Sequence, residues 1–219
     1  MGKILSVIYF VILLPNLVFP DVFGKVVSTY EDLKSIKADF VQENYWAEPD
    51  ISKISSGILW IKKKDNKIKL EYSEPKAQLL LVEIDKTTIY FPETNQVVIM
   101  DSFPIQNLLS PDKLVNNYLK YSEIIDKSEN DSDYIYTIVP SDSALCNNPP
   151  IDFEFAKLIL TIDKTSYLLG AIQYYDEQDN SVKFVFKNIE KDVKISDDIF
   201  SFKIPDNASV IDKRCRQKK

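Results

Sequence analysis

Hydrophobic and polar residues alternate along most of this chain, in short runs that polar turn residues separate. In the run 67–72, Ile68, Leu70 and Tyr72 fall on one side, and Lys67, Lys69 and Glu71 fall on the other. A period of two is typical of a β-strand with one buried face. The same reasoning predicts strands over 36–42, 56–63, 78–84, 87–91 and 96–100. Short strands at such regular spacing favour an antiparallel sheet or barrel.

The second half of the chain continues the pattern. Strands are predicted at 124–125, 134–139, 153–163, 168–176 and 181–190. The acidic stretch 126–133 is predicted to connect two of them. Phe200, Phe202 and Ile204 alternate and predict a last short strand. No internal repeat or linker divides the chain, so we expect one domain over 22–212, followed by a basic tail over 213–219.

Helical spacing appears in only three places. The apolar residues of 22–33 form one stripe on a helix. Ile105, Leu108 and Leu109 fit one helical turn, and Ser110-Pro111 is typical of the start of a second short helix. We therefore expect a mainly β, α+β fold: a strongly curved antiparallel sheet or incomplete barrel with short helices across its apolar side. Such an interior is either filled by side chains or left as an apolar cavity, and the pattern does not decide between the two.

The first 21 residues are typical of a secretory signal. Lys3 is followed by a mostly apolar run over 4–19, which Asp21 ends. Pro15 and Asn16 interrupt that run, which makes it short for a membrane-spanning helix. We expect residues 1–21 to be cleaved on export, with an uncleaved anchor as the alternative. No cysteine follows the run to accept a lipid.

Composition removes several classes of chemistry. The 219 residues include no histidine and only four glycines, and the net charge is −6. Histidine is the commonest general base and metal ligand, and repeated glycines are needed for a phosphate-binding loop. A nucleic-acid surface would need a basic patch, and the only dense basic runs are 62–64 and 213–219. We therefore expect no nucleic-acid partner. Cys146 and Cys215 could pair in an oxidising compartment or remain separate thiols, and both alternatives stay open.

The acidic residues give no positive sign of a catalytic or metal site. Asp126, Glu129, Asp131 and Asp133 superficially resemble a calcium loop, but the central glycine and the closing glutamate are missing. We therefore predict no catalytic residue, no metal and no cofactor. A periplasmic enzyme of unknown type remains a minor alternative.

Several motifs follow one another in a fixed order along the chain. They occupy 36–42, 57–63, 68–75, 89–92, 95–97, 104–109, 174–180 and 200–205. In this order, and after an export signal, they resemble the periplasmic outer-membrane lipoprotein carrier family, LolA. The resemblance extends over nearly the whole mature chain, although no single motif is specific.

The resemblance implies an incomplete antiparallel barrel with a helical lid over an apolar cavity. It also implies a periplasmic carrier, without catalysis or cofactor. Such a carrier accepts acylated lipoproteins from an ATP-driven inner-membrane release complex and delivers them to an outer-membrane receptor, and we expect it to act as a monomer. Alternatives on the same fold are a lipid or glycolipid carrier, an envelope-stress sensor domain and a structural β-domain with a filled core. A receptor would carry an acylated N-terminal cysteine, which is missing here.

The resemblance also assigns positions. Lys63 and Lys64 stand where the family has an arginine followed by a proline. That arginine ties barrel to lid in the family; lysine keeps the charge but loses the planar fork of donors. The implied cavity wall is Leu59, Ile61, Ile68, Leu70, Ile89 and Phe91. The implied lid and gate residues are Lys63, Ile105, Leu108 and Leu109. Ordinary core packing of the wall and an exposed strand-end Lys63 remain the alternatives.

Overall fold

The computed structural model describes residues 22–101, 114, 119–141 and 155–214. Helix α1 (Val22–Asp32) precedes the strands, as its apolar stripe predicted. The strands are β1 (Ser35–Trp46), β2 (Ile51–Lys62), β3 (Lys67–Glu74), β4 (Gln78–Val82), β5 (Thr87–Phe91), β6 (Gln96–Met100), β7 (Ser122–Glu129), β8 (Asp133–Pro140), β9 (Lys157–Asp163), β10 (Leu169–Tyr175), β11 (Ser181–Lys191) and β12 (Ser209–Asp212).

All described strands belong to a single sheet. Its order is β12-β6-β5-β4-β3-β2-β1-β11-β10-β9-β8-β7. Neighbouring strands run antiparallel, except that β12 is parallel to β6. β12 and β7 are the two edges, so the sheet is open. The predicted mainly β fold with an open curved sheet is confirmed.

The sheet is curved, and the side chains on its concave face form one hydrophobic core. Three strands separate β3 from β10 in the sheet order. Tyr72 on β3 and Tyr174 on β10 nevertheless both pack against this one core.

Helix α1 lies against this concave face. Val22, Phe23, Val26 and Tyr30, spaced at helical intervals, are buried in one core with side chains of the sheet. The sheet's share of that core comes from both halves of the chain, from β1 to β4 and from β8 to β11. Covering the apolar face with one helix is the simplest way to remove it from water.

Residues 197–204, here called the C-terminal segment, cover the convex face. The 3-10 helix Asp197–Phe200 buries Phe200, and the Phe202 ring packs 5.2 Å from that of Tyr90 on β5. Lys62 at the end of β2 forms ion pairs with Asp65 and Asp197, which hold the start of this segment. A groove of about 350 Å³ lies between the segment and strands β3 to β6.

The predicted last strand over 200–204 is wrong. Phe200 ends a 3-10 helix, and the residues after it do not join the ladder. Their alternation arises because the segment packs against the convex face of the sheet rather than pairing at its edge. The true last strand, β12, was missed because its four residues are all exposed and show no buried face.

The predicted acidic connection over 126–133 is also partly wrong. β7 continues to Glu129 and pairs with β8, with a bulge between Ile124 and Asp126. It is an edge strand whose side chains are mostly exposed, so its polar sequence does not prevent pairing. By contrast, β5 and β6 begin and end where the alternation predicted, because Asn95 adopts the left-handed conformation (φ 45°) between them.

Some predictions fall outside the described residues. They are the signal over 1–21, the helix at 105–109, Cys146, Cys215 and most of the basic tail. In the stretch predicted as the second short helix, Leu114 is described; it is helical and fully buried in the concave core.

Gly57 fixes how closely the central strands approach. It lies opposite Phe40 on β1 and Tyr72 on β3, at a bulge between β2 and β3. The rings of Phe40 and Tyr72 meet over it at 5.0 Å, edge to face. A Cβ at position 57 would stand 2.0 Å from the carbonyl oxygen of Glu71. No side chain fits there unless the strands separate.

We expect Gly57→Ala to lower the free energy of unfolding by about 3 kcal/mol, because the strands must shift to admit the methyl group. Urea denaturation measures the change. Gly170→Ala is the matched control, since its nearest neighbour would lie at an ordinary 3.9 Å. Equal stability of the two variants would show that the close approach at Gly57 is unimportant.

Candidate functional site

Four of the six predicted wall residues lie side by side under helix α1. Leu59 and Ile61 on β2 pair with Leu70 and Ile68 on β3, and all four point into the concave face. Their side chains are at most 6% exposed. The structure brings these four residues together as part of a packed core with α1.

The other two wall residues extend the same face toward an edge of the sheet. Ile89 on β5 lies opposite Leu80 on β4 and Val98 on β6, and Phe91 lies opposite Gln96. Both are half-buried rather than buried. The concave face thus has a covered centre and a more accessible side at β5 and β6.

Lys63 is joined to helix α1. It follows the last residue of β2 and is half-buried, and its Nζ donates a hydrogen bond to the backbone oxygen of Tyr30 in the last turn of the helix. Its backbone N–H donates to the oxygen of Lys34 at 3.0 Å. The final carbonyls of a helix lack partners within it and carry partial negative charge, so an ammonium group there is stabilising. Lys63 is therefore not a free strand-end lysine.

Tyr30 ties the same helix to the other half of the sheet, a contact that the sequence did not reveal. Its hydroxyl accepts a hydrogen bond from the backbone N–H of Leu169 at 3.0 Å. Nearby, the Nζ of Lys25 donates to the Tyr167 hydroxyl at 3.2 Å. Tyr30 belongs to the apolar stripe of α1, and the stripe alone gives no sign that its hydroxyl has a partner.

The predicted lid residues Ile105, Leu108 and Leu109 lie outside the described residues. Within those residues, α1 and the buried Leu114 pack against the concave face. The sequence predicted this helix and placed it among the covering elements, but it assigned the lid positions only to the later segment.

Two tyrosine hydroxyls on the concave face differ in their surroundings. Tyr72 donates to Gln42 at 2.6 Å, and Gln42 in turn donates to Asn44 at 3.0 Å. Tyr136 on β8 packs its ring 4.8 Å from that of Phe23 on α1 and is 1% exposed. Burial raises the pKa of both hydroxyls, so both are neutral at physiological pH.

The apolar wall residues and helix α1 can together bury apolar surface. Among the residues that the structure describes, no three or more histidine, cysteine or carboxylate side chains come together as a metal site. Over the same residues, none of the helices is both long and apolar enough to cross a membrane.

Comparison with known proteins agrees with this geometry. The sequence profile of the family described as outer membrane lipoprotein carrier protein LolA matches residues 31–203. An outer-membrane lipoprotein carrier protein from Wigglesworthia glossinidia brevipalpis is 30% identical over 169 residues, which is 75% of this chain and 74% of the relative.

Two solved structures are similar to this chain at low sequence identity. An uncharacterized conserved protein from Thermus thermophilus superposes with a TM-score of 0.55 at 12% identity, over 88% of this chain and 98% of that one. A LolA-superfamily protein from Nitrosomonas europaea gives a TM-score of 0.44 at 9% identity, over 83% and 96%. From the profile match and the curated relative, this chain belongs to the LolA outer membrane lipoprotein carrier family.

Proposed function

We propose that this protein is a periplasmic carrier of lipoproteins. It takes acylated lipoproteins that an ATP-driven complex releases from the inner membrane, shields their acyl chains and delivers them to an outer-membrane receptor. The observation behind the proposal is a curved sheet whose apolar concave face packs against the short helix α1, in a chain of the LolA family. The family's known work is binding and transport rather than catalysis.

The energetics of acyl chains make such a carrier necessary. Each methylene transferred out of water contributes about 0.8 kcal/mol, so a lipid anchor does not cross the periplasm unshielded. The concave face offers apolar side chains that α1 already keeps from water. An acyl chain that replaces the helix on this face gains a comparable apolar environment, and the helix can cover the face again after release.

Helix α1 suits the role of a removable cover. It has 11 residues, too few to be stable alone, so its order depends on the sheet. Apart from the buried stripe, the polar contacts of Tyr30 with Lys63 and Leu169 hold it near its C-terminal end. Lys25, nearer its N-terminal end, bonds to Tyr167. In this proposal the movement of α1 exposes the cavity wall, which consists of Leu59, Ile61, Ile68 and Leu70. The wall extends to Ile89 and Phe91. The lid includes Ile105, Leu108 and Leu109.

Export is part of the proposal. Residues 1–21 act as a signal that is removed, and 22–212 is the carrier domain. The carrier works as a monomer and requires no cofactor.

The proposal predicts a soluble complex. The purified protein, added to spheroplasts that synthesise a labelled triacylated lipoprotein, should release that lipoprotein from the membrane as a one-to-one complex. Size-exclusion chromatography measures the complex, and circular dichroism verifies that the protein is folded.

A folded protein that releases no lipoprotein would end the claim of lipoprotein transport. Binding of free phospholipid or glycolipid in the same experiment would then favour the alternative of a lipid carrier. Binding of neither would favour a structural β-domain.

Lys63→Leu should impair hand-off more than stability. Loss of the bond to Tyr30 weakens the closed position of α1, so the loaded state becomes relatively more stable. We expect the soluble complex to form, but its transfer to receptor-containing outer membranes to fall about fivefold, the equivalent of about 1 kcal/mol at a helix terminus.

Lys64→Leu is the matched control. It removes the same charge from the adjacent, exposed residue, and it should transfer cargo as the unchanged protein does. Equal transfer by the two variants would remove Lys63 from the gate.

A further inference from the structure

The hydroxyl of Tyr136 is buried without a hydrogen-bond partner. Within the described part of the chain it is the one buried side-chain polar atom in this condition. The residue is 1% exposed and lies between Leu160 on β9 and Lys127 on β7, with its side chain on the concave face. Lys127 places its Nζ 5.9 Å from the ring centroid, as a cation–π contact.

A buried hydroxyl without a hydrogen-bond partner requires an explanation. Most buried polar side-chain atoms in folded proteins have a partner, and leaving one unpaired costs free energy that a phenylalanine would not. Tyr72 shows that the same face can satisfy a tyrosine, because its hydroxyl reaches Gln42 at 2.6 Å. Packing alone therefore does not account for a tyrosine at position 136.

The ring of Tyr136 is in contact with helix α1, which packs against the concave face. Phe23 of α1 packs 4.8 Å from Tyr136, in the first turn of the helix and away from the contacts of Lys63 and Tyr30 at its other end. When α1 leaves the sheet, Phe23 leaves with it and this side of the Tyr136 ring becomes open to whatever replaces the helix.

We propose that Tyr136 is a binding residue for the cargo, whose hydroxyl donates a hydrogen bond to an ester carbonyl of an acyl chain that replaces Phe23. This inference rests on the proposed carrier function and deepens it. An ester carbonyl is the polar acceptor that an acylated glyceryl group brings into an apolar site. It supplies the acceptor that the closed protein lacks.

Protonation suits the role. Burial, with smaller contributions from Tyr134 and Glu129, raises the pKa of the Tyr136 hydroxyl. The hydroxyl keeps its proton at physiological pH and can donate a hydrogen bond to a carbonyl oxygen.

The unpaired hydroxyl also favours loading. It raises the free energy of the closed protein, in which it has no partner, and not that of the loaded protein, in which the carbonyl accepts from it. A difference of this kind between two states shifts their populations toward the loaded one.

The experiment compares two ligands and three proteins. One ligand is a diacylglyceryl lipopeptide, and the other is its dialkyl ether analogue, which keeps the chain lengths but lacks the ester carbonyls. The proteins are the unchanged chain, Tyr136→Phe and the matched control Tyr72→Phe. Isothermal titration calorimetry gives the Kd of each pair, and thermal unfolding without ligand gives Tm.

The unchanged protein should bind the ester about fivefold more tightly than the ether, as one hydrogen bond allows. Tyr136→Phe should bind both ligands equally, while its Tm rises by about 3 °C because an unpaired buried group is gone. Tyr72→Phe should keep the preference for the ester, while its Tm falls because Gln42 loses a donor.

An unchanged ester preference in Tyr136→Phe, or a lowered Tm for that variant, would overturn the inference. Because the unchanged protein is measured with both ligands, this result is distinct from failure of the carrier function. A chain that binds neither ligand would contradict the carrier function itself.

Discussion

The structure depends on one constraint: a curved sheet with an apolar concave face must keep that face out of water. The side chains that form the face come from strands far apart in sequence, and helix α1 covers their centre with four buried residues. On the convex side the C-terminal segment covers the sheet with Phe200 and Phe202. The two covers differ in kind, since the segment is fixed by ion pairs at the strand ends and leads into a strand of the sheet itself.

A carrier needs its cover to be stable without cargo and displaceable by cargo. Most of the stability of α1 comes from burial, which an acyl chain can supply equally well to the sheet. In the proposed mechanism, the hydrogen bonds from Lys63 and Leu169 stabilise the closed position without adding apolar surface, and the unpaired Tyr136 hydroxyl opposes it. The proposal makes the balance of these small contributions, each about 1 kcal/mol, decide how readily the face opens.

Periodicity was informative where one side of a strand is buried and turns are marked. β5 and β6 are bounded by Pro92 and Asn95, and their limits were predicted correctly. β12 and most of β7 are edge strands with exposed side chains, so their sequences carry no alternation to detect. The segment over 200–204 alternates because it packs on a sheet face, which a periodic pattern does not distinguish from pairing. The hydrogen bond between Leu169 and the Tyr30 hydroxyl, and the contact between the Phe23 and Tyr136 rings, each join residues more than a hundred positions apart. No local pattern specifies such contacts.

The most direct test of the account asks which face of the sheet touches cargo. A photoreactive p-benzoylphenylalanine would replace Phe91 on the concave face or, in a second variant, Phe202 on the convex face. Each variant would be loaded with a labelled triacylated lipoprotein, irradiated and analysed by mass spectrometry for attachment to an acyl chain. The account predicts acyl-chain adducts from position 91 and not from position 202. Adducts from position 202 alone, in a protein that carries lipoprotein, would contradict binding on the concave face beneath α1.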